Sequence, residues 1–403
     1  MGQPINFRFF AGANATYSTD LTQPVTDQQG QLGQTDSYGA IGHVGVFGVR
    51  NGPHDSLGVD FMAGYRAYFG ASRRRFNGAD FRLGLNYARQ VSLKTAVQLS
   101  VRASTVGYSY GGLFQPVVED PNPGSADPAV DGFDSRTSRI SGSAGVAHHL
   151  SRRWIATFSG GAYYTKRRSD SLISSNGYNA RTSASYLLNE TTSIGGGYSY
   201  GKYSYAAAFG ETQVHTFSLI FNKQLSPLWS MSSSAGVNRV TGERVQSFKL
   251  DPVLAAIVGQ SVTVQPVSIQ RWGPAINLTL ARKFQSGSAS IYYSRGISAG
   301  NAFFTAADRD RVGVAYSYTA TDRLNIGLNA NYYRYNSLLQ GNSKFNNYGV
   351  GVGMNYRLTG SLHFTAGTTY RTSKVENGNL DRNRLHAFVG ITFSPGERPL
   401  SLF

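Results

Sequence analysis

The chain has no cysteine among its 403 residues, which excludes disulfides and thiolate metal sites. It has no run of 18 apolar residues either. Helical membrane spans are therefore excluded, though that test does not see barrel strands, whose hydrophobicity alternates. Charge is scarce: 15% of residues are Asp, Glu, Lys or Arg, where a soluble chain of this mean hydropathy, -0.27, normally carries about a quarter. Acid is scarcer still, with 22 Asp and Glu against 38 Lys and Arg and a formal charge of +16. Glycine (47), tyrosine (25) and phenylalanine (23) fill the sequence instead, with serine and asparagine. The opening MGQPINFRFF lacks a charged segment followed by an apolar one, and reads as a near-mature end or one carrying an added Met.

The dominant signal has period two. In LGVDFMAGYRAYF, residues 57–69, Leu57, Val59, Phe61, Ala63, Tyr65, Ala67 and Phe69 share one face, while Asp60 and Arg66 lie on the other. A strand this long with one wholly apolar face suits an oblique bilayer crossing of about 9–11 residues, apolar toward lipid and polar toward a wet interior. The pattern recurs at 7–17, 38–50, 79–87, 97–103, 140–150, 154–164, 178–188, 194–200, 217–221, 229–237, 272–280, 289–293, 312–318, 324–332, 348–356, 362–370 and 385–393. One short stretch, DPVLAAIVG at 251–259, has helical character. The expected fold is all-β: a transmembrane antiparallel β-barrel of about 18 strands over residues 1–394, with 395–403 as a short periplasmic tail.

Connections alternate in length. They are short at 51–55, 90–94, 151–153, 189–191, 224–227, 285–287, 320–322 and 358–360, and long at 19–37, 111–138, 166–177, 241–270, 297–309 and 371–383. Outer-membrane barrels have this asymmetry, with tight periplasmic turns and longer outer loops. An even strand number then places both termini in the periplasm. Trp154 and Trp229 follow short turns, and Tyr65, Tyr200, Tyr332 and Tyr370 lie toward the long-loop ends, as two aromatic girdles would require.

With these features the chain resembles the bacterial outer-membrane β-barrel proteins, porins above all, over nearly its full length. LHAFVGITF, 385–393, looks like the aromatic-ended final strand that barrel-insertion machinery recognises in that class, with Phe393 in the expected place. SPGERPLSLF departs from the pattern by continuing past it. The resemblance implies residence in the bacterial outer membrane, contact with the lipid bilayer and lipopolysaccharide, and insertion by that machinery. A homo-oligomer is a further expectation, because trimers are common in the class.

On the polar faces of these strands lie Arg8, Arg66, Arg82, Arg102, Arg139, Arg181, Arg271, Arg311, Arg357, Arg371 and Arg384, while the acids clearly inside strands are Asp60 and Asp80. The positive charge is thus expected on the lumen wall. There it would concentrate anions and disfavour cations, and arginine would offer permanently charged, forked donors to carboxylate, sulfate or phosphate. The alternative is that these side chains satisfy one another as wall structure; strands pairing around 70–75 would set Arg66 opposite Asp80. The loop 111–138 carries Glu119, Asp120, Asp127, Asp131 and Asp134 and is a candidate constriction; 241–270 is a candidate plug or lid. Gly195, Gly197, Ser199, Gly201, Gly349, Gly351 and Gly353 leave space inside, and Tyr68, Tyr108, Tyr110, Tyr163, Tyr292, Tyr333 and Tyr335 face inward as rings on which sugars could stack.

No catalytic, metal or cofactor site is expected. GYSYG, 197–201, matches the G-x-S-x-G nucleophile elbow in letters, but the elbow needs a strand, a sharp turn and a helix, and here it lies within an alternating strand. His148 and His149 point to opposite faces and cannot share a metal, and His43, His54, His215, His363 and His386 show no ligand spacing. A pI near 9.9 does not read as nucleic-acid binding beside lipid-compatible parity on nearly every strand. Three functions remain: a channel for small polar or anionic solutes; an export port for a polysaccharide or other polymer, with 395–403 contacting a periplasmic partner; and a structural surface barrel with functional outer loops. YYSRGISAGNAFF, 292–304, is faintly similar to barrels associated with polysaccharide export.

Overall fold

The computed structural model describes residues 5–26, 32–69, 77–107, 136–168, 172–206, 210–249, 262–299, 305–338, 344–376 and 381–394, with backbone alone at 20–26, 32–35, 244–249 and 262–266. These residues form one sheet of eighteen strands: β1 (Asn6–Thr26), β2 (Leu32–Asn51), β3 (Asp55–Tyr68), β4 (Gly78–Ser92), β5 (Thr95–Val106), β6 (Thr137–His149), β7 (Trp154–Arg167), β8 (Ser174–Asn189), β9 (Thr192–Ala206), β10 (Glu211–Gln224), β11 (Trp229–Lys249), β12 (Val262–Phe284), β13 (Gly287–Ser298), β14 (Ala307–Thr321), β15 (Leu324–Ser337), β16 (Lys344–Arg357), β17 (Leu362–Glu376) and β18 (Asp381–Phe393). Each strand pairs antiparallel with its neighbours in sequence. β1 also pairs with β18, from Ala11↔Phe393 to Ser18↔His386, so the sheet closes and no edge remains along that seam.

The two-residue period decides what each face meets. On one parity, large apolar side chains stand exposed around the whole ring, among them Phe9, Tyr65, Phe158, Leu219 and Val350. A sheet closed on itself can present such a surface only to lipid. Residues directly opposite across a ladder share a face, so the other set can be followed strand by strand from Asp60 through Gly84, Arg102, Ser141, Tyr163, Gly177 and Tyr203 to Thr212. That set lines the lumen.

The short turns are built from a recurring local device. In SRRW, SPLW, TDRL and TGSL the leading hydroxyl accepts N–H groups two and three residues on: Ser151 from Arg153 and Trp154, Ser226 from Leu228 and Trp229, Thr321 from Arg323 and Leu324, Thr359 from Ser361 and Leu362. A short polar side chain thereby takes over from the ladder where the chain reverses.

At the other rim the strands run longer than their alternation indicates. β11 and β12 stay paired from Trp229↔Arg282 out to Lys249↔Val262, and β1 and β2 stay paired as far as Thr26↔Leu32, inside the stretches expected as the loops 241–270 and 19–37. Beyond the bilayer both faces of a ribbon meet water, so the pattern fades while the backbone ladder continues. The helical candidate 251–259 lies outside the described residues.

Candidate functional site: the lumen wall

The registers place Arg8, Arg66, Arg82, Arg102, Arg139, Arg181, Arg271, Arg311, Arg357, Arg371 and Arg384 on the inward face of their strands. Arg167, Arg309 and Arg382 join them. Sequence reading passed over these three because they lie at strand ends, beyond the alternating stretch. Among the described residues, the acids on the inward parity of their strands are Asp60 and Asp80; Asp308, near the long-loop rim, joins them by meeting Arg271 on the inner face of the wall. The basic side chains are unevenly spread: β3 to β8 form an arginine sector, whereas β9, β10 and β11 face the lumen with Ser, Thr, Asn, Gly and a few apolar groups. In that neutral sector Asn222 and Ser232 are joined at 2.7 Å and Asn277 donates to Ser234 at 3.2 Å.

Several arginines are committed to the wall. Arg66 and Asp80 form a buried ion pair at 2.7 Å. Their register is diagonal, with Asp80 opposite Gly64 and Arg66 opposite Gly78, rather than the direct pairing expected; a glycine beside each leaves room for the reach. Asp80 also accepts the Gly107 N–H at 3.0 Å and lies 4.0 Å from Arg136. Both roots of the 108–135 segment thus converge on one carboxylate. Arg311 lies between the Tyr292 and Tyr333 rings, 4.6 and 5.2 Å from their centroids, Arg139 over Tyr163 at 5.7 Å, and Arg384 donates twice to Ser18.

Others are not committed. Arg102 and Arg181 are exposed to the lumen, and neither makes an ion pair or hydrogen bond among the described residues. Asp60 is within electrostatic reach of Arg102 and Arg82, because Gly84 between them carries no side chain.

Toward the long-loop rim part of the wall turns inward, at an element the alternation does not single out. The β12–β13 ladder stops at Ile276↔Arg295, although β12 continues beside β11 and β13 continues beside β14 to Ser298↔Ala307. Past that point the ends of β13 and β14 tuck behind β12. Asp308 of β14 meets Arg271 on the inner face of β12 at 3.3 Å, and a Cβ on Gly296 of β13 would lie 3.8 Å from the Asn238 amide on β11. Ser298, Ala299, Thr305, Ala306 and Ala307 are all buried. Ala299 packs with Tyr163, Tyr203, Tyr205, Val214 and Val240, inward residues of β7, β9, β10 and β11, with Ile297 and Leu338 against them. The end of β13 is therefore folded inward and packs on the inner face of the neighbouring wall, β9 to β11, with Tyr163 of β7. The acidic candidates Glu119, Asp120, Asp127, Asp131 and Asp134, together with Tyr108 and Tyr110, lie outside the described residues, as does the tail 395–403.

On the lipid side, Trp154, Tyr65 and Tyr370 are exposed, Tyr200 and Tyr332 partly so, and Trp229 is half-buried beneath the Arg282 guanidinium at 5.1 Å. Tyr38, Tyr164, Tyr178, Trp272 and Tyr348 extend the ring at the long-loop level. Ser199, the letter match to a nucleophile, sits within continuous ladders, opposite Arg181 on one side and Thr216 on the other.

No known sequence family matches the chain, and no curated protein does. Solved structures do. The outer-membrane protein OpdK of Pseudomonas aeruginosa is similar at 10% identity and a TM-score of 0.49, covering 96% of this chain and 99% of its own. A BenF-like porin from Pseudomonas fluorescens Pf-5 is similar at 13% and 0.46, with 96% and 99% covered, and OccAB4 of Acinetobacter baumannii at 13% and 0.44, with 97% and 99%. At these identities the likeness concerns architecture alone, and the strand pairing itself carries the assignment to an 18-stranded, porin-like membrane barrel.

Proposed function

We propose that the chain is a channel of the bacterial outer membrane whose basic lumen passes small polar and anionic solutes. The observation that carries this reading is the pair Arg102 and Arg181: inward on β5 and β8, exposed, and without an ion pair or hydrogen bond among the described residues, in a lumen whose described acids are Asp60, Asp80 and, near the rim, Asp308. Exposed guanidinium groups not tied up in ion pairs or hydrogen bonds attract anions into a water-filled passage and repel cations. The arginines held by Asp80, Ser18 or tyrosine rings keep the wall in shape and add to its potential. Wide barrels of 16–18 strands leave an aqueous interior, and the apolar contact at Ala299 occupies part of it near the long-loop rim.

The export reading has less behind it. Its stretch 292–304 overlaps the strand end that turns into the lumen, so a polymer would have to displace that contact. Lipopolysaccharide around the tyrosine ring, recognition of 385–393 by insertion machinery, a homo-oligomer and a periplasmic partner for 395–403 belong to the same proposal as expected partners.

The test is solute efflux from proteoliposomes. Gluconate, an anion, should leave faster than a cation of equal size, and replacing Arg102 and Arg181 with alanine should shrink that difference. Equal rates for both ions in the unaltered protein would overturn the reading.

A further inference from the structure

The wall of the barrel is split on one side. Below Ile276↔Arg295, β12 and β13 are zipped together over nine residue pairs. Above it, β12 pairs only with β11 and β13 only with β14, so the ends of β13 and β14 overlap the inner face of β12 without a ladder between them. The sequence of β12 matches this change. Pro274 and Pro266 both fall in the stretch that lacks a second neighbour, and proline, having no N–H, is tolerated where a strand is an edge. Asn238 donates to the Pro274 carbonyl at 3.1 Å, satisfying part of the freed backbone.

The split starts at a defined height. Tyr293 stands opposite Leu278 on the last outward pair but one, and the outward row through it is Val312, Tyr332 and Tyr348. That is the tyrosine ring, hence the level of the outer-leaflet headgroups. On the membrane side of the split stand Trp272, exposed, and Pro274. Between the overlapping layers lies Ala275, inward on β12 and buried. On the lumen side, Ile297 leads to Val240, Val214 and Tyr205. An apolar path therefore runs from lipid to lumen, beside a polar latch, Arg271 to Asp308 at 3.3 Å, and Gly273 leaves room for the two layers to slide.

We propose that the seam between β12 and β13 is a lateral portal through which single-chain amphiphiles pass between the lumen and the outer leaflet, the polar head following Arg271 and Asp308 and the alkyl tail following Trp272, Ala275 and Ile297. The proposal rests on the reading of the barrel as a channel. It adds a membrane-side exit to a passage that otherwise connects two aqueous spaces.

Because the chain has no cysteine, one introduced thiol reports its own surroundings. In proteoliposomes, a membrane-confined dodecyl maleimide is applied to three variants: Leu278→Cys on the lipid face, Asn277→Cys on the lumen face below the split, and Ala275→Cys inside it. The thiol of Ala275→Cys should react about tenfold or more faster than that of Asn277→Cys, since the reagent meets the first by local opening of the seam and the second only after passing through the seam into the aqueous lumen. Adding Arg271→Ala to Ala275→Cys should speed the reaction further, and sub-micellar dodecyl maltoside should protect the thiol where maltose does not. Ala275→Cys reacting as slowly as Asn277→Cys, or protection by maltose alone, would overturn the portal. Ion current is recorded on the same protein: current with an unlabelled thiol removes the portal alone, and absence of current removes the channel reading and the portal with it.

Discussion

Replacing Arg102 and Arg181 together by alanine changes ion selectivity by an amount that simple electrostatics sets. Each guanidinium sits on the wall of an 18-stranded barrel, at roughly 10 Å from a permeating ion once its own reach is subtracted. At that distance a unit charge in water is worth roughly 0.4 kcal/mol. With screening lengths of about 30, 10 and 3 Å at 0.01, 0.1 and 1 M salt, roughly 0.3, 0.15 and 0.015 kcal/mol remain. Two charges act with opposite sign on anion and cation, so the anion-to-cation permeability ratio should fall about sevenfold at 0.01 M, about threefold at 0.1 M and not measurably at 1 M. The assay is the reversal potential in planar bilayers at each salt level, with Arg102→Lys and Arg181→Lys as charge-retaining controls. A change that persists at 1 M, or none at 0.01 M, would refute the reasoning, because neither could arise from exposed charges in a wet lumen.

Three further outcomes test the wall itself. Leu219→Arg places a charge on the lipid face at a residue 75% exposed and should cost about 2–4 kcal/mol near mid-bilayer, read as a lower urea midpoint for the refolded barrel; Ser218→Arg, on the lumen face, should change it little, and equal effects would contradict the assigned parity. Asp80→Asn strips the partner from buried Arg66 and loosens both roots of 108–135; a loss of about 3–5 kcal/mol with noisier single-channel current is expected, and a variant matching the unaltered protein in both would show that the carboxylate does not hold the loop. Ser151→Ala with Ser226→Ala removes acceptors for four turn N–H groups. About 0.5–1 kcal/mol per site should follow, seen as slower refolding into lipid vesicles or a lowered midpoint.

The barrel was largely legible because its governing constraint is local. A strand with lipid on one side and water on the other must alternate, and 57–69 keeps one wholly apolar face along β3, with Met62 an apolar residue on the other. The turn device was present in the letters SRRW, SPLW, TDRL and TGSL but is apparent only when the four turns are compared. Two features were not legible. Strand ends outside the bilayer carry no parity signal, so Thr241 to Lys249 read as loop although it is paired throughout with β12. The inward turn of β13 and β14 depends on where one ladder stops, and nothing local to Ile297 or Ala299 announces contact with Tyr163 of β7 and Tyr203 of β9. Pro274 was the available hint, since a proline in an otherwise regular strand marks an edge.

The same limit applies to the arginines. Parity assigns a side to Arg66, Arg102 and Arg181 alike, but sequence does not separate Arg66, buried against Asp80, from Arg102 and Arg181, which stand in the open. That separation decides which charges can act on a solute.

The central claim is that this barrel conducts and that its lumen prefers anions. The most direct test is the reversal potential of the purified, unaltered protein in a planar bilayer separating 0.1 M from 0.01 M potassium chloride. The account predicts stable open current whose reversal potential lies toward the chloride equilibrium potential; current reversing at zero or toward the potassium potential would contradict it.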